Sequence, residues 1–329
     1  MTSSPPFDIW FSDAAFDGSY GFTLDTLREV TPIPPPEGFA DRWRSWRRSA
    51  GAVDAAPEVL STTTIDGRRV CLIELSGVDG VRLRAWFVSA ADGGTARVGV
   101  VHGHGYGGRD EVDLRRVPEH AAALFPVARG LPNLNAGIGA PQDREAHVLA
   151  GLDDPDASVI GLCARDLWLA ADALEQLAGE LPLYYVGESF GGGLGALAVP
   201  WDDRFIGATL IVPTFGQYDL RLAVDCLGSG EFQRSWVRRH PEAREQLRIL
   251  DSSTAALFFD IPVRVEAALW DQSVPPQGQF AVANAVRDLE LAVLPAGHAE
   301  YPGIEAVTAS AVASGLAHLE RVLAVRTAR

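Results

Sequence analysis

Leu183-Tyr184-Tyr185-Val186-Gly187-Glu188-Ser189-Phe190-Gly191-Gly192-Gly193 is the stretch on which the reading of this chain turns. Four apolar residues, rich in aromatic and β-branched types, predict a buried strand. Directly after them comes Gly-x-Ser-x-Gly, and then a helical stretch from Gly191 to Val199. A serine on a sharp strand-to-helix turn needs small residues two places before and two places after it, because its backbone is strained and its neighbours crowd. The helix that follows aims its first N–H groups at negative charge developing near the serine. The competing reading is a Gly-rich turn with an exposed serine. A phosphate loop is a poor rival, since the Walker lysine is missing.

Outward from this elbow, short apolar runs alternate with amphipathic stretches. Val98–Val101, Ala208–Val212, Val263–Leu269 and Leu289–Leu294 read as strands, and Asp166–Leu177, Phe280–Val286 and Ala306–Val325 as helices. Continuous apolar strands between helices predict a mostly parallel sheet covered on both faces. Ahead of it, Val70–Leu75 and Val81–Val88 alternate as a hairpin around the turn Ser76-Gly77-Val78-Asp79-Gly80. Residues 1–60 differ, with Pro32–Pro36 and the Arg/Trp-rich stretch Phe39–Arg48. We expect them to be an extension packed on the core or on a partner subunit, and residues 61–329 to be one catalytic domain.

In such a sheet, catalytic groups follow strands at their carboxyl ends. The order that matches a serine elbow is Ser, Asp or Glu, then His. Asp271 follows the strand ending at Leu269, and His298 follows the strand ending at Leu294. His240 lies in the polar stretch Arg234–Arg248, and His318 lies well inside the last helix. Asp271 can instead be an N-cap or Asx-turn residue, and His298 a loop histidine satisfied by a carbonyl. Taken together, Ser189, Asp271 and His298 predict a catalytic triad on an α/β-hydrolase fold. The strand Val98–Val101 runs into His102-Gly103-His104-Gly105-Tyr106-Gly107-Gly108, the loop that supplies one oxyanion donor in such enzymes. The expected donors are the N–H groups of Tyr106 and Phe190. His102 and His104 alternate like metal ligands but lack a third partner nearby, so neither metal nor cofactor is expected.

These residues resemble the carbohydrate esterase family of acetyl xylan esterases and cephalosporin C deacetylases. The likeness spans nearly the whole chain: Trp43 and Trp46, Gly80 with Trp86-Phe87-Val88, Gly105–Arg109, Gly151–Asp154 ahead of Arg165-Asp166, Gly187–Gly193, Asp271–Pro276 with Phe280, and His298. The resemblance implies a metal-free, intracellular serine esterase, commonly a homo-oligomer and typically a hexamer. The implied substrates are acetyl esters of carbohydrates or small-molecule alcohols. Two positions depart from the family pattern. Its Arg-Gly-Gln is Arg129-Gly130-Leu131 here, and its His-Glu pair is His298-Ala299, with Glu300 one place on. The rival readings are another bond for the same fold (peptidase, thioesterase or C–C hydrolase) and a catalytically silent binding scaffold.

Composition sets outer bounds. The 329 residues are 47% hydrophobic and 22% charged, with a net charge of −15. Such acidity argues against nucleic-acid partners and anionic membrane surfaces. Cys71, Cys163 and Cys226 form no disulfide or metal pattern. No signal peptide or membrane-length apolar run is visible, so the cytoplasm is the expected location. Trp10, Trp201, Phe215 and Trp270 are candidates for an apolar pocket or for the core.

Overall fold

The computed structural model describes residues 5–327. Nine strands form one sheet: β1 Glu58–Ile65, β2 Arg68–Ser76, β3 Arg82–Val88, β4 Val98–Gly103, β5 Ala121–Pro126, β6 Leu183–Glu188, β7 Phe205–Ile211, β8 Val263–Ala268 and β9 Leu289–Leu294. Their spatial order is β1-β2-β3-β5-β4-β6-β7-β8-β9. The first three strands and the β3–β5 pair are antiparallel, while β5, β4, β6, β7, β8 and β9 run parallel. From β4 the chain passes to β5 on one side, then returns to β6 on the other. That reversal opens a crevice at the carboxyl ends of the central strands.

Strand alternation divides the core in two. Val98, Val100, Ala121, Ala123, Phe125, Tyr184 and Val186 pack on one face with Leu319, Val322 and Leu323 from the long helix Ile304–Thr327. Val101, Ala122, Leu124, Leu183, Tyr185, Ala208 and Leu210 point to the other face. There the helices Val159–Ala178, Phe190–Ala198 and Pro276–Ala285 contribute Trp168, Leu194 and Phe280. Period-two side-chain direction along a strand sends neighbours to opposite faces, so an all-apolar run serves both layers.

Two strands lie outside the apolar runs that the sequence brings forward. β5 begins Ala121-Ala122-Ala123, whose residues favour helix as readily as strand. It is a strand because β3 and β4 flank it and its backbone pairs with both. Every residue of β1 is exposed, and the strand is held by pairing with β2.

The segment before β1 lies on the core of the sheet and its helices. Trp43 is fully buried and packs edge-on against Trp46 and Trp168 and flat against Trp201. Its indole N–H donates to the Ile249 carbonyl (3.0 Å). Nearer the start, Phe11 stacks on Trp270 with ring centroids 3.8 Å apart, and Trp10 stacks on Tyr301. Trp201 and Phe215 are core residues, while Trp270 and Trp10 form a separate small cluster. All four lie away from the walls of the cleft above Ser189.

Candidate active site

Ser189 sits between β6 and the helix Phe190–Ala198 with φ +52° and ψ −106°, a conformation few side chains tolerate. The backbone that holds it there is fully bonded. Its N–H donates to the Ile211 carbonyl (2.8 Å), and its carbonyl accepts from Gly193 and Thr214 (3.0 and 3.1 Å). A Cβ on Gly187 would meet the Gly191 carbonyl oxygen at 2.5 Å, and one on Gly191 would meet Gly103 and His104 backbone at 2.8 Å. The two glycines of the motif are therefore demanded by crowding around a strained turn.

Asp271 and His298 arrive from the ends of β8 and β9. His298 Nδ1 donates to Asp271 Oδ2 (2.7 Å), and its Nε2 accepts from the Ser189 hydroxyl (2.9 Å). Asp271 is fully buried. Its Oδ1 accepts from the N–H groups of Ser273 and Val274 (2.8 and 2.9 Å), and its Oδ2 also accepts from Gln279 Nε2 (3.0 Å). The Asx turn and the contact with histidine are thus one arrangement: one oxygen holds the loop, the other faces the imidazole. Burial pulls the His298 pKa down, but the hydrogen bond and charge of Asp271, with the charge of Glu188, outweigh it and hold the pKa above its usual 6.5.

Gln279 was not singled out by the sequence. It completes the buried carboxylate, and it also bonds Val274 and the Ala268 N–H. The only signal for it was a polar residue on the buried helix Pro276–Ala285. Gly297 is a second such residue, since a Cβ there would overlap Asp271 Oδ2. A third contribution comes from the start of the chain. The Asp271 N–H donates to the Gly18 carbonyl (2.9 Å), and Gln272 Nε2 donates to Phe16 (2.5 Å).

The loop after β4 faces the elbow. The N–H groups of Tyr106 and Phe190 bond to nothing among the described residues, and both residues line a cleft of about 240 Å³ with Ser189 and His298. Their rings meet edge to face at 5.1 Å. The Tyr106 hydroxyl donates to His147 Nδ1 (2.7 Å), and His147 Nε2 donates to the Arg129 carbonyl (2.9 Å). Since a carbonyl can only accept, this bond fixes the His147 tautomer. Burial keeps the His147 pKa low.

His102 and His104 serve this loop. His104 Nδ1 donates to Gly105 (2.6 Å) and its Nε2 accepts from Ala128 (3.0 Å), while His102 Nδ1 accepts from Arg109 (2.9 Å). Burial, with the charge of Arg109, lowers their pKa values to about 3 for His102 and about 4 for His104. Among the described residues no group of three or more His, Cys, Asp or Glu side chains is placed to hold a metal ion. His240 pairs with Glu242 on the surface, and buried His318 bonds Tyr184. Leu131 is buried among Val148 and Leu152 of the core, and Ala299 packs with Trp270 and Tyr301. Arg129, beside Leu131, is fully buried and forks onto Asp166 and Asp79.

A serine on a strained strand-to-helix turn at the centre of this sheet, with an aspartate and a histidine on loops after β8 and β9, fits the α/β-hydrolase fold. The chain belongs to the acetyl xylan esterase (AXE1) family, whose model matches residues 20–311, and it is a carboxylic ester hydrolase. Among solved structures, it is similar to the acetyl xylan esterase from Paenibacillus sp. R4, with a TM-score of 0.78 and 19% identity over 89% of this chain and 99% of that one. Acetyl xylan esterase 1 from Thermoanaerobacterium sp. JW/SL YS485 aligns with a TM-score of 0.70 and 22% identity over 91% and 99% of the two chains. A puromycin-hydrolysing peptidase of Mycobacterium tuberculosis shares the fold more distantly, with a TM-score of 0.59 and 20% identity over 79% of this chain and 40% of that one. No curated protein matches the sequence. No helix among the described residues is long and apolar enough to cross a membrane.

Proposed function

We propose that this chain hydrolyses short-chain esters, acetyl esters above all, of a carbohydrate or small-molecule alcohol, with Ser189, His298 and Asp271 as its triad. The observation that carries this reading is the continuous hydrogen-bond chain from Asp271 Oδ2 through His298 to the Ser189 hydroxyl, at 2.7 and 2.9 Å. The hydroxyl attacks the ester carbonyl while His298 Nε2 takes its proton. Asp271 keeps Nδ1 protonated and balances the imidazolium. The free N–H groups of Tyr106 and Phe190 receive the oxyanion. His298 then returns the proton to the leaving alcohol, which departs and leaves an acyl group on Ser189. Water, deprotonated by His298, attacks that ester; the acid leaves as the acyl–Oγ bond breaks, and His298 returns the proton to Ser189 Oγ.

The small size of the cleft, about 240 Å³, supports a short acyl group. Family membership supports an acetylated carbohydrate as the alcohol side. The same resemblance supports a homo-oligomer, with a hexamer as the expected form. Three free, buried cysteines fit a reducing cytoplasm. The test is Ser189→Ala, assayed on a small acetyl ester. The expected loss in kcat approaches about 10⁶-fold, and wild-type activity in a folded variant would refute the assignment.

A further inference from the structure

Five arginines are buried among the described residues: Arg68, Arg129, Arg221, Arg234 and Arg264. Four have acceptors. Arg68 donates to the carbonyls of Ser89, Pro118 and Ala121. Arg129 is forked onto Asp166 and Asp79, Arg234 onto Glu231 and Asp225, and Arg264 onto Glu266 and Glu290. Arg221 differs. It is 3% exposed, its Nε is buried without a partner, and no hydrogen bond or ion pair reaches its guanidinium among the described residues. A guanidinium carries five donors and stays charged, so burying it without an acceptor is unfavourable unless something else supplies one.

Its location shows where an acceptor can reach it. Arg221 ends the short helix Tyr218–Arg221, and its guanidinium carbon lies 5.8 Å from the centre of the Phe215 ring. Gly230 closes over it, since a Cβ there would fall 2.7 Å from Nη2. The side chain lines the same cleft as Ser189 and His298. Neighbouring carboxylates are taken: Asp219 pairs with Arg244 and Arg248, Asp225 with Arg234, and Asp251 holds Ser253 and the Tyr218 and Thr254 N–H groups. The cleft wall carries Arg144 and Arg221 against Glu188, a local positive excess in a chain of net charge −15.

We infer that Arg221 receives a carboxylate of the substrate, so that the enzyme selects esters bearing a carboxylate near the scissile bond, such as those of an acidic sugar or hydroxy acid. This rests on the cleft over Ser189 being the ester-hydrolysing site proposed above. The planar fork of arginine matches a carboxylate with two parallel hydrogen bonds, and the Phe215 ring face steadies the guanidinium.

The test compares matched esters on the full-length chain. On the acyl side the pair is 4-nitrophenyl hydrogen succinate against 4-nitrophenyl butyrate, and on the alcohol side O-acetyl-lactate against O-acetyl-lactamide. The anionic member should be favoured in kcat/KM by about tenfold or more in one arm, which tells where the carboxylate rides. That ratio should fall to near one in Arg221→Gln and only in part in Arg221→Lys, whose point charge lacks the fork. Calorimetric binding of succinate, compared with succinamide, gives a readout independent of turnover and should show the same dependence on Arg221. Equal kcat/KM in both arms with equal binding of succinate and succinamide overturns the inference, and so does a preference that survives in Arg221→Gln. Turnover that persists in Ser189→Ala refutes the esterase reading instead. Ser189-dependent turnover without anionic preference removes only the role of Arg221.

Discussion

Replacing Asp271 with asparagine separates charge and tautomer from shape, and the hydrogen bonds around it determine the outcome. The carboxylate accepts four hydrogen bonds, from Ser273 and Val274 on one oxygen and from Gln279 and His298 on the other. In Asp271→Asn the new amide has two orientations. With its oxygen on the backbone side it keeps both loop bonds, but its NH₂ then faces the donor Gln279 and gives a hydrogen to His298 Nδ1. The reverse orientation suits Gln279 and His298 yet sets the amide donors against two backbone N–H groups. Each buried donor left facing a donor costs about 1–3 kcal/mol, so the first orientation prevails by roughly one such penalty. In that state Nδ1 accepts, Nε2 carries the proton, and His298 cannot take one from Ser189. The expected loss in kcat/KM is on the order of 10⁴-fold, equivalent to about 5 kcal/mol of transition-state stabilisation. Stability should fall by about 1–3 kcal/mol, from the single unmatched donor at Gln279. Steady-state kinetics on a short acetyl ester and urea unfolding measure the two quantities. A folded variant that loses less than about tenfold would refute the dependence of His298 on Asp271.

Because Asp271 and Glu188 hold the His298 pKa above 6.5, the acid limb of kcat/KM should have its midpoint above pH 6.5 and move down in Asp271→Asn. A wild-type midpoint below 6.5 contradicts this. Stability runs the opposite way, since a raised folded pKa stabilises the protein fully below the unfolded pKa and the contribution fades as pH rises through the folded value. Gly297→Ala, whose methyl group would overlap Asp271 Oδ2, should displace the carboxylate from His298 and lower kcat by about 10²-fold. Unaltered kcat in that variant would show that the loop yields without disturbing the pair.

Much of the site was legible because its constraints are local. The Gly-x-Ser-x-Gly spacing answers a clash within one turn, between Gly187, Ser189 and Gly191, and any chain making that turn must show it. Asp271 and His298 stand out as candidates because each follows its own apolar run, and strand ends can be read from one dimension. β5 was not visible, for its three alanines become a strand only between β3 and β4. Gln279 was equally silent. A glutamine eight residues from an aspartate has no meaning until a helix folds back to place its amide against the carboxylate.

The sequence by itself therefore determined the fold class, the elbow and the order of the three candidate catalytic residues, since these follow from spacing along a chain. Only the tertiary structure decided that His298 bridges Asp271 and Ser189, that Gly18 and Phe16 tie the start of the chain to the acid loop, and that Arg221 alone of the five buried arginines has no acceptor among the described residues. The physical reason is that hydrogen bonding and charge balance act over a few ångströms of space, whereas the partners lie tens to hundreds of residues apart in the chain.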